Sequence, residues 1–369
     1  MNKVLVVTHD AVSPIKGGGG LRTIKTAFEF RKRGYKVKVI APSDKKVIDG
    51  VKVEQMPHIS KDRFFVSSLY FTAILIFKLI RNINYNLIFV HNSVAGIPSG
   101  FYSRLFFKKM IYDTTDIHTE YMKMNKKGFF INLLNRIEYF SFRLGDKVIV
   151  VSEVMKDILM EHGVKRDKIF VVYDGCEINN FSPKKEKTGY TGIIHHGGID
   201  KQDGVLYIAE AAALVIRKHK KVKFFIVGAG VELDKVKEAV DENNLNKYFV
   251  FTGWKPYSEM KNYLSKADIG LITRPDTLPN NTILTLKLLE YWASGTAVIS
   301  SRLKAIQKVS KENDDILFFE PDNHEDLARK IIFLIENKRL LEKMKVNGRK
   351  KAERFDWNKL IEKIADICV

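Results

Sequence analysis

The sequence predicts an α/β chain built of two Rossmann-like halves, each with a parallel sheet. Short β-branched or apolar runs alternate with helix-patterned runs along the chain, the order of βαβ units. Several of those runs end in glycine: Gly17–Gly20 follows the first, and Gly197-Gly198 and Gly228-x-Gly230 follow later ones. The same strand–glycine–helix order recurs on both sides of a charged stretch with Pro and Gly at 174–190, which reads as a linker. A length of 369 residues leaves room for two or three domains, and an apolar share of 45% is enough to give each a core.

In order, MNKVLVVTHD holds an apolar run of only Val4–Val7, so it reads as a buried first strand and not as a signal peptide. After Gly17–Gly20 a helix pattern runs to about Arg33, Gly34 stops it, and residues 37–42 are the next strand. Residues 64–77, FFVSSLYFTAILIF, form the only long apolar run; at fourteen residues with two serines and a threonine it is too short to span a bilayer. It admits two readings. One is a buried or partly exposed helix; the other is a helix in a membrane interface, with Lys61, Arg63, Lys78 and Arg81 on head groups. Strands follow at 86–92, 108–115 and 147–153, with a helix at 129–144. In the second half, strands at 192–198, 222–230, 249–254, 268–273 and 296–301 accompany a strong amphipathic helix at 203–218. An aromatic-anchored helix at 355–367 closes the chain.

Sixty-two Lys+Arg against 43 Asp+Glu give a net charge of +19, which favours anionic partners: phosphorylated substrates, acidic lipids or nucleic acid. The cations are spread over the chain, which describes a basic surface and not a binding arm. No nucleic-acid-binding motif is present, so nucleic acid is not an expected partner. Cys176 and Cys368 form no metal or redox motif, which suits a reducing compartment.

Ligands of parallel sheets sit at the carboxyl ends of strands, which ranks the polar residues there. Gly17–Gly20 either aims backbone N–H groups at an anion beside a helix N-terminus or is a flexible turn; it is neither Gly-x-Gly-x-x-Gly nor a Walker loop. YDTTDIHTEY (112–121) puts Asp113, Asp116 and Glu120 around His118, where carboxylates would orient the imidazole and tune its pKa. As a metal site that set is poor, and no metal is expected. Gly198, Gly228 and Gly253 end strands as tight turns or as diphosphate N–H donors. Arg274, in LITRPDT, is a phosphate ligand or an exposed loop residue. The stretch 278–302, LPNNTILTLKLLEYWASGTAVISSR, reads as a Pro/Asn-rich loop, a helix ended by Gly295, and a strand from Thr296 to Ile299. Lys287 and Glu290 share a face of that helix. They either hold a phosphate and a sugar hydroxyl near its start or form a surface ion pair.

LTLKLLEYWASGTAVISS resembles the C-terminal signature of the family 4 retaining glycosyltransferases (group 1 glycosyltransferases) of GT-B fold, Lys-x-x-Glu-Tyr-x-Ala-x-Gly-x-x-Val. ADIGLITRPDTLPNN is similar to the lead-in of that signature. IFVVYDGCEINNFSP is similar to the family's strand and loop, with Asp174 for the usual asparagine. Two further positions depart: Thr282 stands where many members have a first glutamate, and Asp203 stands where a lysine is usual, leaving Lys201 as the nearest cation. The resemblance implies two Rossmann-like domains with parallel sheets facing across a cleft. Residues 1–178, joined by helix 354–369, would be the acceptor side and 188–353 the nucleotide-sugar side. It implies catalytic roles for His118, Asp116 and Glu290. The donor would be held by Gly18, Gly19, Gly198, Lys201, Gly228, Arg274, Leu286, Lys287 and Glu290. The expected activity is metal-independent, retaining transfer of a hexose from a UDP- or GDP-linked donor to a glycan or lipid-linked acceptor in cell-surface polysaccharide or glycoconjugate synthesis. No cofactor beyond that donor is expected. The expected place is the cytoplasm, at the inner face of an anionic membrane. The alternatives are a sugar-nucleotide epimerase of the same fold and a non-enzymatic basic module binding nucleic acid or membrane.

Overall fold

A computed structural model describes residues 3–15, 17–60, 63–125, 128–183, 186 and 188–368. It has two compact units, Met1–Asp174 with Asn358–Val369, and Gly175–Trp357. The first unit thus ends four residues before the expected 178. The reason is local: Cys176 N donates to Phe355 O and Trp357 N donates to Cys176 O, tying residues just past Asp174 into the second unit. Lys61 and residues 184, 185 and 187 of the expected linker lie outside the described residues.

The first unit contains, in order, β1 (Lys3–Thr8), α1 (Gly18–Lys32), β2 (Lys36–Pro42), β3 (Val47–Ile48), β4 (Val51–Met56), α2 (Phe64–Arg81), β5 (Leu87–His91), α3 (Ser93–Leu105), β6 (Lys109–Thr114), α4 (His118–Asn125), α5 (Phe129–Phe142), β7 (Lys147–Val150), α6 (Glu153–Glu161) and β8 (Ile169–Val171). Its sheet order is β3-β4-β2-β1-β5-β6-β7-β8, parallel apart from the β3–β4 pair. The central strands are near-continuous apolar runs because helices cover both faces; Val4–Val7 are all buried.

The second unit contains β9 (Thr191–Gly198), α7 (Leu206–Lys218), β10 (Val222–Ala229), α8 (Leu233–Glu242), β11 (Phe249–Gly253), α9 (Met260–Leu264), β12 (Ile269–Ile272), α10 (Leu278–Thr282), α11 (Leu286–Ala293), β13 (Ala297–Ser301), α12 (Lys304–Val309), β14 (Ile316–Phe319), α13 (His324–Glu336) and α14 (Lys338–Ala352). Its all-parallel order is β11-β10-β9-β12-β13-β14. The last helix, α15 (Trp357–Cys368), returns to the first unit, where Arg33 of the α1 C-cap pairs with Asp366 at 2.7 Å.

Each sheet has one point where strand order reverses: β1/β5 in the first and β9/β12 in the second. Neighbouring crossovers there leave on opposite faces and open a crevice at the carboxyl ends.

Two expectations need correction. The apolar run at 64–77 continues through Leu79 and Ile80, so α2 has 18 residues and is about 27 Å long. By length and composition it is able to cross a membrane, not too short for it. In the structure its stripe Phe71, Leu75 and Leu79 is buried in the first unit. Nor is Lys78 free for head groups: it donates to Gln55 O at 2.8 Å and pairs with Glu54 at 3.4 Å.

Candidate active site

In the first unit, the carboxyl ends of β1, β5 and β6 bring together His9, Asp10, His91, Asn92 and Asp113. Arg22 of α1 is fully buried and clamps Asp113 with two bonds of 2.8 Å; it also donates to Asp174 Oδ1, Tyr173 O and Val172 O. Although burial opposes it, the Arg22 charge holds the Asp113 carboxyl down at about 2. His91 Nδ1 lies 2.7 Å from Asp113. Burial works against a charged imidazole there, but Asp113 and then Asp10 outweigh it and raise the His91 pKa. The other nitrogen, Nε2, lies 3.6 Å from Asp10 and has no hydrogen-bond partner among the described residues. A Cβ on Gly19 would stand 2.5 Å from Asp10 Oδ2 and 2.9 Å from His91 Nε2, so only glycine lets α1 begin this close to both. Gly18 is the first residue of that helix. Asn92 holds φ +64°, rare for a side-chain-bearing residue, and its amide bridges Asp10 and the Thr115 N–H.

His118 opens α4 beside this cluster, its ring 5.0 Å from that of His9. Burial lowers the His9 pKa to about 4, so that ring is neutral near pH 7. The carboxylates expected to orient His118 do not. Asp116 accepts from Thr115 Oγ1, and Glu120, turned inward by the helix, is bound to Asn135, Lys123 and Tyr139. Ser93 Oγ, 3.2 Å from His118 Nδ1, takes that part, while Glu138 accepts from the backbone N–H groups of His118 and Thr119.

In the second unit, Lys287 is buried (8% exposed) in the first turn of α11. It meets Asp203, not Glu290: Nζ lies 3.0 Å from Asp203 Oδ1, with Arg274 at 3.6 Å from the same oxygen. The expectation of a surface ion pair with Glu290 therefore fails. Burial lowers the Lys287 pKa and Asp203 partly restores it; Asp203 is held low against its own burial by Lys287 and Arg274. Arg274 donates to Asn280 Oδ1, and its Nε, also buried, has no partner among the described residues. A Cβ on Gly197, whose φ is +107°, would come 3.0 Å from Lys287 Cε. Gly198 ends β9 and Gly228 is the last residue but one of β10, Leu286 is half-buried at the start of α11, and Lys201 is exposed, with no ion pair to the cluster. Tyr291 locks α11 onto the sheet by donating to Ile194 O and Leu271 O.

Glu290, one turn on, is 4% exposed and accepts from the Tyr257 hydroxyl. His196 Nε2 lies 3.2 Å away but is not aligned for a hydrogen bond. Burial lifts the Glu290 carboxyl to about 7, tempered by Tyr257 and Lys287. Between the ordinary value of 4.5 and 7, the native protein keeps a proton that the unfolded chain has lost. Stability therefore falls as pH rises through that window. Glu290→Gln is expected to match the parent at pH 4.5 and to exceed it by up to about 3 kcal/mol at pH 8. Urea unfolding at both pH values checks this; an equal pH dependence in parent and variant refutes it.

Strand-end logic had pointed to His118, but it passed over His9-Asp10 and His91-Asn92, which carry the same signal directly after buried strands. Tyr257 and His196 reach Glu290 only through tertiary packing. Among the described residues no group of three His, Cys, Asp or Glu is placed to hold a metal.

Residues 177–351 match the family described as Glycosyl transferases group 1, and residues 16–180 match Glycosyltransferase Family 4. The chain is 22% identical to the UDP-Gal:alpha-D-GlcNAc-diphosphoundecaprenol alpha-1,3-galactosyltransferase of Escherichia coli, over 87% of this chain and 84% of the relative. Similar solved structures include the sucrose-phosphate synthase of Thermosynechococcus elongatus (TM-score 0.83, 16% identity, 100% of this chain and 98% of that one). Another is Anabaena Alr3699/HepE in complex with UDP (TM-score 0.77, 18% identity, 99% and 98%).

Proposed function

The chain is a group 1 glycosyltransferase of GT-B fold, and from that premise we propose that it moves a sugar, with retention, from a UDP-sugar to a lipid-linked acceptor during cell-surface polysaccharide or glycolipid synthesis. The observation that carries the donor half is the pairing of buried Lys287, in the first turn of α11, with half-buried Arg274 after β12 on one Asp203 carboxylate, with an unpartnered, buried Arg274 Nε–H among the described residues. When the bond from the anomeric carbon to the diphosphate breaks, negative charge grows on the leaving phosphate. Two cations and a helix N-terminus stabilise it there, and charge neutralisation needs no resident metal. In the free protein Asp203 occupies both cations and limits the cost of burying them. Glu290, once ionised, accepts from ribose or sugar hydroxyls. In the first unit, His118, held by Ser93, and Asp116 position the reacting sugar and acceptor, with Gly18 and Gly19 offering close backbone approach. The choice of UDP and of a diphospholipid acceptor is supported by the UDP bound to Anabaena HepE and by the diphosphoundecaprenol acceptor of the E. coli relative. Because such acceptors are membrane lipids, we place the protein at the inner membrane face.

Thermal unfolding with UDP, GDP, ADP, CMP and TDP and their sugar conjugates, with and without EDTA, tests the donor half. UDP at about a hundred times its Kd is expected to add about 2.7 kcal/mol, unchanged by EDTA, and Glu290→Ala is expected to lose most of that gain. A shift with none of the nucleotides refutes the proposal. Free sugar and UDP released without an acceptor would favour the epimerase instead. Product anomeric configuration, read by NMR, tests retention.

A further inference from the structure

The first unit contains a cavity of about 820 Å³ walled by α2, α3, α4 and α5. That volume lies at the upper end of the range for cavities holding drug-sized ligands. Its wall is almost wholly apolar, and the exceptions that carry or hold charge, His118 and Glu138, stand together with Ser93 at the candidate site. Seven wall residues are also exposed to solvent: Leu69, Ile76, Ile80, Phe101, Leu105, Phe130 and Ile137. An apolar surface therefore runs from outside the unit, along the cavity, to the imidazole of His118. Contiguous exposed apolar surface of this kind marks a binding site. Charge narrows the occupant. Apart from the buried Glu120 and Glu138, helices α2 to α5 carry no acidic residue, whereas α2 and α5 carry Arg81 and Arg136, besides Lys78 and Arg104, which already pair with Glu54 and Asp146. An apolar channel without exposed acids suits a hydrocarbon chain with a phosphorylated head and repels neither.

We propose that this cavity holds the hydrocarbon chain of the acceptor lipid, with the lipid's phosphorylated head directed to His118. The assignment rests on the glycosyltransferase reading above and adds to it the place where the acceptor's chain is recognised. The chain leaves the bilayer through the exposed residues of α2, α3 and α5, so α2 works as one wall of a lipid site. The acceptor's hydrocarbon is thereby part of what the enzyme selects.

The test is calorimetric binding of geranyl phosphate and farnesyl phosphate to the full chain, with UDP present at saturation to occupy the donor site. Farnesyl phosphate is expected to bind at least about tenfold tighter than geranyl phosphate, because its extra five carbons leave water. Ser68 lines the cavity, and its hydroxyl has no hydrogen-bond partner among the described residues, so changing it breaks no bond. Ser68→Trp and, from the opposite wall, Ile97→Trp fill the space and are expected to abolish the chain-length preference, while Ser68→Ala keeps it. The UDP-induced thermal shift, which reads the second unit, reports that the variants are folded. If UDP binds but the two lipids bind alike, or the tryptophan variants keep the preference, the chain site is refuted and the glycosyltransferase reading stands. Should UDP fail to bind, that reading falls and the acceptor assignment falls with it.

Discussion

Replacing Lys287 by alanine is expected to lower turnover by about 10²–10³-fold, the cost of removing one preorganised group that meets developing charge. Lys287 is buried, sits in the first turn of α11, and is one of two cations on Asp203. Its charge counts most when the diphosphate departs, so kcat is expected to suffer more than KM. Arg274→Ala is expected to cost less, since Arg274 lies 3.6 Å from Asp203 against 3.0 Å for Lys287. Removing Lys287 also leaves Asp203 with half its counter-charge, so unfolding must be followed alongside. Asp203→Asn added to Lys287→Ala restores stability without restoring turnover if the lysine acts on the substrate. A loss below about fivefold, or full rescue of turnover by the double variant, refutes the assignment.

Arg22→Met is expected to destabilise the first unit by about 3–5 kcal/mol, the usual effect of removing one partner from a buried ion pair. Arg22 is 0% exposed, and its five donated bonds leave no N–H idle. Methionine fills much of the volume, yet it strands the carboxylates of Asp113 and Asp174 and the carbonyls of Val172 and Tyr173. The pH dependence separates charge from packing. Asp113 is depressed to about 2, so its stabilising part is present above the ordinary value of 3.8 and is lost as pH falls toward 2. Without Arg22 the carboxyl rises and can take a proton when buried. The penalty of Arg22→Met is therefore expected to be larger at pH 7 than at pH 4. Urea unfolding at the two pH values reads this out. A penalty under about 1 kcal/mol, or one independent of pH, shows that the cluster is not held by Arg22.

Much of the architecture was legible along the chain, because a buried parallel strand is a short apolar run and its crossover helix has a different period. The strand at 3–8, the helices at 129–142 and 206–218, and the stop at Gly295, whose φ is +63°, were all readable this way. β4, β14 and the true start of α11 were not. VKVEQM is mixed in character and ILFF is only four residues long. Ile283 and Leu284 continue the apolar pattern of α11 although the helix itself begins at Leu286. The match to group 1 glycosyltransferases likewise rests on linear motifs, and so does the nomination of His118, Lys287 and Glu290.

What the linear order could not decide is pairing. Lys287 and Glu290 are three residues apart and share a helix face, which suggested a partnership; burial turned the lysine to Asp203, 84 positions away. His118 stands among nearby carboxylates in sequence, yet it is held by Ser93 and Glu138 from other helices. Arg22 gives no local sign of its role, since Asp113 and Asp174 lie 91 and 152 residues on. Secondary structure and motif depend on neighbours along the chain and can be read from it. A buried charge, in contrast, takes whichever opposite charge the fold brings within about 3 Å, because leaving it unpaired in a low-dielectric interior costs several kcal/mol. The family and the alternation of strands and helices were thus written in the sequence, while the partner of each buried charge and the apolar route to His118 were decided by the tertiary structure.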